Sequence, residues 1–241
     1  MTLRMTEDGG SLVDHAIQAV RDHIRDHDLK VGDSLPGEGS FAKDMGVSRA
    51  VMREAFGALA ALGLIDVANG RRARVGAIDG SVMGASLDHA VATEQISVAE
   101  VWDVRRTVEV RIAMLAAERR TEKQAARIMA LAQAMAEADG DKDRLTANDI
   151  ALHEAIADAA ANKLFAQIVR SFAPLMKTAV SQAWRTRTAA EQRQAMIDRH
   201  LDLARTIQLG DPAAAGAAME AHFDASVGQQ LYARDARRMR D

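Results

Sequence analysis

The chain has 241 residues, enough for one large domain or two of ordinary size. Alanine supplies about a fifth of them, aromatic residues only 3% and proline three residues, a composition typical of helices rather than strands. With 48% hydrophobic residues the chain can bury a core. A mainly α fold is therefore expected, and global disorder, a β-sandwich, a barrel and a doubly wound sheet are disfavoured.

Cysteine is absent, which excludes disulfides, thiolate metal ligands and a cysteine nucleophile. No stretch approaches the roughly 18 to 20 apolar residues that a membrane span needs. Residues 1–10, expected to be a flexible N-terminus, lack the apolar centre of a signal peptide. We therefore expect a cytoplasmic protein without a membrane partner.

The first 78 residues alternate helix signals with turn signals. Ser11 and Ser48 each precede an apolar stretch of helical period, and Gly46 ends a shorter one. An Asn69-Gly70 pair between two β-prone pieces is typical of a hairpin turn. The predicted elements are helices over residues 11–27, 40–45 and 48–62 and strands over residues 65–68 and 74–76.

This order of elements predicts a winged helix-turn-helix DNA-binding domain over residues 11–78, with its third helix in the major groove of double-stranded DNA. Arginine pairs bidentately with guanine or phosphate. Residues 41–78 hold six Lys/Arg against three Asp/Glu, so the formal net charge of −3 does not argue against a DNA partner. The alternative is that the arginines of residues 41–78 are solvated side chains of a small helical domain and do not bind DNA. The candidate DNA-binding residues are Ser48, Arg49 and Arg53 on the helix and Arg71, Arg72 and Arg74 on the wing.

After residue 78 the helical pattern weakens and then returns. Residues 79–95 are expected to be a linker with room for a short helix, because glycines and mixed polar residues interrupt the pattern. Residues 96–235 predict an all-helical antiparallel bundle, and residues 236–241 a flexible tail. The helices of the bundle are predicted over residues 98–119, 122–138, 144–160, 163–184, 190–209 and 213–234.

Four polar residues of this half are expected to face the bundle interior. Asp149 and His153 are separated by one helical turn, and His200 and His222 share their helix faces with apolar residues. A nitrogen-rich set without sulfur suits a divalent metal, with zinc the first choice and nickel, manganese or iron as alternatives. The other interpretation is that the histidines are core or surface residues without a ligand role.

Arg105 lies on a helix face with Val101 and Ile112, so its guanidinium points toward an apolar interior. A buried arginine needs an anionic partner. That partner is either Glu109, one turn further along the helix, or the carboxylate of a bound ligand, which the planar guanidinium is suited to hold.

Residues 11 to 235 resemble the GntR family of bacterial transcription regulators, in its FadR-type branch with an all-helical FCD effector domain. In the first half the matching motifs are Gly32-Asp33-Ser34-Leu35-Pro36-Gly37-Glu38, Gly46-Val47-Ser48-Arg49, Met52-Arg53-Glu54-Ala55 and Leu62-Gly63-Leu64. In the second half they are Val104-Arg105 with Glu109, Asp149 with Leu152-His153, Ala161-Asn162, Arg199-His200 and Ala221-His222.

The resemblance implies a homodimer that binds a palindromic operator, and a second domain that dimerises and binds an organic acid. It implies that Asp149, His153, His200 and His222 hold a metal and that Arg105 helps to hold the acid. The expected function is a ligand-responsive regulator, a repressor rather than an activator, controlled by a small carboxylate such as a sugar acid. The alternative is a metal-dependent enzyme that acts on an organic acid and carries a fused DNA-binding domain.

Three positions depart from the family pattern. Gly39 stands where the family has an arginine after its Leu-Pro-Ser-Glu motif, which removes one expected DNA contact. The wing has Gly70-Arg71-Arg72 in place of Gly-x-Gly, and this more basic wing is expected to compensate by contacting phosphate or the minor groove. Leu152 replaces the phenylalanine that precedes the metal-binding histidine.

Overall fold

A computed structural model describes residues 11–68, 70–138, 141–186 and 190–225, with residues 180–186 described by their backbone alone. Several predicted features lie outside the described residues. They are the N-terminus 1–10, Asn69 of the hairpin turn, the last predicted helix beyond residue 225, and the tail 236–241. The mainly helical fold is confirmed, and the described residues form two compact units that divide between residues 82 and 83. In the described part, no helix combines the length and apolar character that crossing a membrane requires.

The first unit has the predicted order of elements, each within two residues of its predicted bounds. Ser11 begins the first helix through a capping box with Asp14, and Gly46 ends the second in the left-handed conformation, at φ 67°. The elements are α1 (Leu12–Asp26), α2 (Glu38–Met45), α3 (Arg49–Ala61), β1 (Ile65–Asp66) and β2 (Arg74–Val75).

The core of this unit is apolar. Val20 of α1, Phe41 of α2 and Met52 of α3 are among its buried side chains, and Phe41 packs edge-on against Phe56 with ring centroids 5.9 Å apart. The strands β1 and β2 pair antiparallel. The loop before α2 also pairs with the second strand, because the backbone N–H of Val75 donates to Asp33 O at 2.9 Å. The wing is therefore fixed to the helical part by backbone hydrogen bonds.

The second unit is all-helical over its described residues. Its helix α5 packs against α7, α10 and α11, and these four helices carry the candidate site. The helices are α4 (Ser81–Ala92), α5 (Val98–Arg119), α6 (Glu122–Glu137), α7 (Lys142–Ala159), α8 (Lys163–Ser171), α9 (Ala173–Thr186), α10 (Ala190–Leu209) and α11 (Pro212–Asp224).

One predicted helix is in fact two. The segment 163–184 divides into α8 and α9 at Phe172, two residues before Pro174. Proline has no N–H to donate to the carbonyl of Arg170, and its ring would clash with that carbonyl in a continuous helix. The prediction of a single helix overlooked this proline.

The expected linker 79–95 is mostly the 12-residue helix α4. Its Leu87 and Val91 pack against the core of the second unit. Gly84 is buried against the corner between α8 and α9, where an added Cβ would lie 2.9 Å from the carbonyl oxygen of Ser171. The glycine that weakened the helical pattern in the sequence is thus a site of close packing, and the second unit begins before residue 96.

Candidate metal centre and nucleic-acid interface

Three imidazoles from three helices meet in the core of the second unit. His153 on α7, His200 on α10 and His222 on α11 each offer a ring nitrogen, and these atoms lie within 4.8 Å of one another. The ring centroids of His200 and His222 are 4.5 Å apart, and the three residues are 3%, 1% and 5% exposed. Convergence of this kind, away from water, is what a multidentate nitrogen site requires.

Asp149 lies one turn before His153 on α7, with Oδ1 2.9 Å from Nε2 of His200. The other ring nitrogen of His200, Nδ1, lies 2.8 Å from the backbone carbonyl oxygen of Met196. Because a carbonyl oxygen can only accept a hydrogen bond, Nδ1 carries the hydrogen and donates it. In a neutral His200 the Nε2 atom then has a lone pair that points at the negatively charged carboxylate, and the two would repel each other. A cation, either a proton or a metal ion, must therefore lie between them.

Glu109 on α5 joins two of the candidate residues. Its Oε1 accepts from Nε of Arg105 at 2.6 Å, and its Oε2 pairs with Nδ1 of His153. An ionised carboxylate only accepts, so Nδ1 of His153 carries the hydrogen and Nε2 keeps its lone pair. A carboxylate behind a histidine commonly fixes the tautomer of a metal ligand in this way.

The guanidinium of Arg105 is enclosed by aromatic rings. Its Cζ lies 5.1 Å from the ring centroid of Trp102, 5.8 Å from that of Phe172 and 5.5 Å from that of Phe223, distances typical of cation–π contacts. Its Nη1 contacts Sδ of Met176. Nε1 of Trp102 is buried without a hydrogen-bond partner among the described residues, which makes it an unused donor.

The charges of this cluster hold one another in fixed ionisation states. Burial alone would raise the pKa of Glu109, but the charge of Arg105 and the contact with His153 lower it to about 2. Burial would likewise raise the pKa of Asp149, and the hydrogen bond from His200 outweighs it and holds that pKa below its usual range. The pKa of His222 is well below its usual value because of burial and the neighbouring His200.

The residues present fit a divalent cation. Nδ1 of His222 is buried and, among the described atoms, has no hydrogen-bond partner. Leaving such an atom unpaired costs about 1–3 kcal/mol. Three neutral imidazoles beside a carboxylate are a ligand set typical of zinc and of other divalent transition metals.

The structure therefore brings Asp149, His153, His200 and His222 together and places Arg105 beside them. The Arg105–Glu109 ion pair, one of the two predicted environments of this arginine, is present. Sequence reasoning missed the second bond of Glu109, to His153, since the two residues are 44 positions apart. It also missed Trp102, although this residue lies one turn before Arg105.

The candidate DNA-binding residues lie on the surface of the first unit. Ser48 accepts a hydrogen bond from the backbone N–H of Val51 at 3.2 Å and so caps α3, which gives its hydroxyl a structural role. Arg49 begins this helix, and no acidic residue occupies its first turn. A cationic side chain there adds to the positive end of the helix dipole, which suits an incoming phosphate.

Two contacts connect α2 to the basic face of α3. The guanidinium of Arg49 lies over Gly39, with Nε 3.6 Å from the position that a Cβ would take. Nε of Arg53 is 3.8 Å from a carboxylate oxygen of Glu38, and 77% of the Arg53 side chain is exposed. Both arginines thus lie on one exposed face.

The wing arginines differ in their surroundings. Arg71 and Arg72 are exposed. Arg74 is also exposed, and its Nη1 donates to the backbone carbonyl of Gly32 at 3.2 Å, so part of this guanidinium fixes the wing to the loop before α2.

Comparison with known families gives two matches. The model of bacterial regulatory proteins of the gntR family matches residues 12–75, and the FCD domain model matches residues 100–225. The first match covers α1 to β2, and the second begins in α5 and reaches the end of α11.

Similar proteins cover most of the chain. The HTH-type transcriptional regulator LutR of Bacillus subtilis is 28% identical over 202 residues, 83% of this chain and 92% of that protein. The Glc operon transcriptional activator of Escherichia coli K12 is 29% identical over 181 residues, 73% and 71% of the two chains. The HTH-type transcriptional repressor NanR of Salmonella enteritidis is 25% identical over 206 residues, 83% and 77% of the two chains.

Among solved structures, a GntR protein of Streptococcus agalactiae matches with a TM-score of 0.64 at 22% identity, over 90% of this chain and 99% of that one. This likeness supports the fold. The matched domains and the similar proteins are those of transcription regulators and not of enzymes, so they do not favour the metal-dependent enzyme.

Proposed function

The chain belongs to the GntR family of bacterial transcription regulators and carries an FCD effector domain, and we propose that it is a homodimeric repressor released from its operator by a small carboxylate. In this proposal the carboxylate, for example a sugar acid, binds beside a metal ion in the second unit. A homodimer of winged units requires a palindromic operator whose half-sites match the spacing of the two α3 helices.

The exposed arginines support the DNA-binding part of the proposal. Arg49 and Arg53 occupy the first two turns of α3, the end of a recognition helix that lies nearest the bases. Arg71, Arg72 and Arg74 extend the basic face along the wing. Base contacts would come from α3, and phosphate contacts from the wing.

Zinc is the first choice for the metal, with nickel, manganese and iron as alternatives. Asp149, His153, His200 and His222 would hold it. The bound ion would supply a positive charge that attracts a ligand carboxylate. Arg105, oriented by its bond to Glu109, and the unused N–H donor of Trp102 would hold the same carboxylate by hydrogen bonds.

One observation carries the ligand-responsive part of this proposal. A cation, an orphaned imidazole nitrogen and an unused indole donor are all buried in one core. Replacing such buried groups together by apolar residues of similar volume is often neutral or stabilising, so stability alone does not account for them. Their presence supports a site for a metal and an anionic ligand.

The proposal is tested by fluorescence anisotropy with DNA from upstream of the protein's own gene, at fixed salt. Arg49→Ala should weaken specific binding about 5- to 150-fold for each half-site that loses the contact, since one bidentate base contact contributes about 1–3 kcal/mol. Arg25→Ala is the matched control, because Arg25 is an exposed arginine on α1 that pairs with Asp22. Equal affinity for this DNA and for random DNA would contradict a specific regulator.

The response to ligand is measured in the same assay. A panel of small carboxylates is added to the zinc-loaded protein, and at least one of them should release the DNA. The release should be absent in Arg105→Gln. Transcription in vitro from the same DNA then distinguishes a repressor, whose removal raises transcript levels, from an activator.

A further inference from the structure

The buried charges of the second unit point to a ligand class, and we infer that this site selects carboxylates with a single negative charge over those with two. The inference rests on the proposed function, because it assumes that an organic acid binds beside a metal in this core. It deepens that proposal by naming Glu109 as the residue that determines the selectivity.

The charged side chains of the cluster determine the net charge of the site. Among the described residues, the buried charged groups around the three imidazoles are Arg105, Glu109 and Asp149. Glu109 accepts hydrogen bonds from two N–H groups, the arrangement of an ionised carboxylate. The carboxylate of Asp149 lies 2.9 Å from Nε2 of His200, where a cation must lie between the two atoms, so Asp149 also carries a negative charge. Imidazoles bind metals in their neutral form, so the protein alone contributes one negative charge in excess.

A divalent metal reverses the sign of this site. With the ion bound, the described cluster carries one positive charge in excess. A carboxylate with one negative charge then brings the buried site to neutrality, whereas a dicarboxylate leaves one negative charge uncompensated. Without the metal, the proton that then lies between Asp149 and His200 brings the cluster to neutrality, so the cluster offers no excess positive charge to a ligand of either class.

Burial makes the difference large. The charged residues and histidines of the cluster are at most 7% exposed, so water screens a ligand held among them poorly. In such surroundings an uncompensated charge is far more costly than at the surface. Because Glu109 neutralises Arg105, the pair has no net charge. The guanidinium can orient one ligand carboxylate, but the pair does not compensate the charge of a second carboxylate on the same ligand.

The test uses acid–amide pairs that differ by one charge and little in shape. The pairs are malonate with malonamate, and 2-hydroxysuccinate with its 4-amide. Calorimetric titration gives the Kd of each compound for the wild-type protein loaded with one zinc per chain, and a second titration gives its Kd for free zinc in the same buffer. For each pair, the preference is the Kd of the diacid divided by the Kd of its monoanionic amide. This ratio should be at least 10-fold higher for the zinc-loaded protein than for free zinc.

The outcomes separate this inference from the function on which it rests. If the protein prefers the dianion as strongly as free zinc does, the inference is wrong and the carboxylate-responsive regulator stands. If no compound of either pair binds while zinc does, the small-carboxylate effector fails together with the inference, and operator binding is unaffected.

Two variants assign the selectivity to Glu109. In Glu109→Gln, with zinc content verified, the loss of one negative charge should lower the preference for the monoanion at least 10-fold. The double variant Arg105→Gln/Glu109→Gln has the same net charge as the wild type, so it should recover the preference although its affinity for every compound is weaker. An unchanged preference in Glu109→Gln would overturn the assignment.

Discussion

The two units of the chain place their charged residues in opposite ways. In the first unit the buried core is apolar, and Arg49, Arg53 and the wing arginines all lie on the surface. In the second unit an arginine, two carboxylates and three histidines lie inside the core. Apart from Ser48, which caps α3, and Arg74, which bonds to Gly32, the candidate site of the first unit is therefore separate from what stabilises that unit. In the second unit the same side chains serve both purposes.

This difference has a measurable consequence. Substitutions of Arg49, Arg53, Arg71 or Arg72 should change DNA affinity and leave stability nearly unaltered, because these exposed side chains contribute little to the free energy of unfolding. Substitutions in the buried cluster should change both. Both tryptophans, Trp102 and Trp184, belong to the second unit, so their fluorescence reports the unfolding of that unit alone.

The largest effect is expected for Arg105→Met in the metal-free protein. The variant leaves Glu109 buried beside His153 without its cationic partner, and breaking a buried ion pair costs about 3–5 kcal/mol. Urea unfolding followed by tryptophan fluorescence measures the loss.

Arg106→Met is the matched control for this prediction. Arg106 is the next residue along α5 and pairs with Asp224 at 2.9 Å, but both side chains are about half exposed. Its loss should change the free energy of unfolding by less than about 1 kcal/mol. Similar losses in the two variants would contradict the contrast between core and surface charges.

The next effect concerns the metal. At a free zinc concentration 100 times its Kd, the wild-type second unit should gain about 2.7 kcal/mol. His222→Gln removes one of the three imidazoles and should lose most of this gain at the same zinc concentration. His89→Gln, an exposed histidine on α4, should keep it. A full gain in His222→Gln would exclude this imidazole as a ligand.

A smaller effect is expected at the surface of the first unit. Ser48→Ala removes the cap of α3 and should cost about 1 kcal/mol, measured by amide hydrogen exchange of peptides from α3. Arg49→Ala, one residue further on, should stay within about 0.5 kcal/mol. The control Ser40→Ala replaces an exposed serine inside α2. If Arg49→Ala proved as destabilising as Ser48→Ala, the separation of binding from stability in this unit would fail.

The smallest effect is a pH dependence of the first unit. The pKa of His23 is lowered from 6.5 by partial burial and by His27, whose ring stacks at 4.0 Å. The unfolded chain then binds the proton more readily, so stability should fall as the pH drops below about 6.5. Hydrogen exchange of α1 at pH 7.5 and 5.5 measures this, and His23→Gln should reduce the dependence. An unchanged dependence in that variant would assign it to other groups.

Sequence alone predicted the elements whose signals are local. The cap residues Ser11 and Ser48 and the stop at Gly46 located the helices of the first unit, and α5 and α10 have the predicted bounds. The interior faces of α7, α10 and α11 followed from helical period, and the three histidines expected on these faces lie within 4.8 Å of one another by their ring nitrogens.

What sequence could not supply is the distance between helices. The bond between Glu109 and His153 depends on how α5 packs against α7, and no local pattern contains that information. Residues 79–95 were expected to be a linker with room for a short helix, because glycines, among them Gly84, interrupt the apolar pattern. The close approach to the carbonyl oxygen of Ser171 is what requires a glycine at position 84. The local pattern therefore gave a weak signal for α4 at a position where a tertiary contact requires glycine.

The packing of Gly84 also determines how regulators of this kind can be recombined. A chimera that joins a foreign DNA-binding unit to this effector unit should be spliced in the stretch after β2 and before Ser81, so that the native α4 is retained. A splice inside α4 that introduced even an alanine at position 84 would force its methyl group onto the carbonyl oxygen of Ser171. The junction of a biosensor built from this chain is thus set by one backbone contact in its effector half.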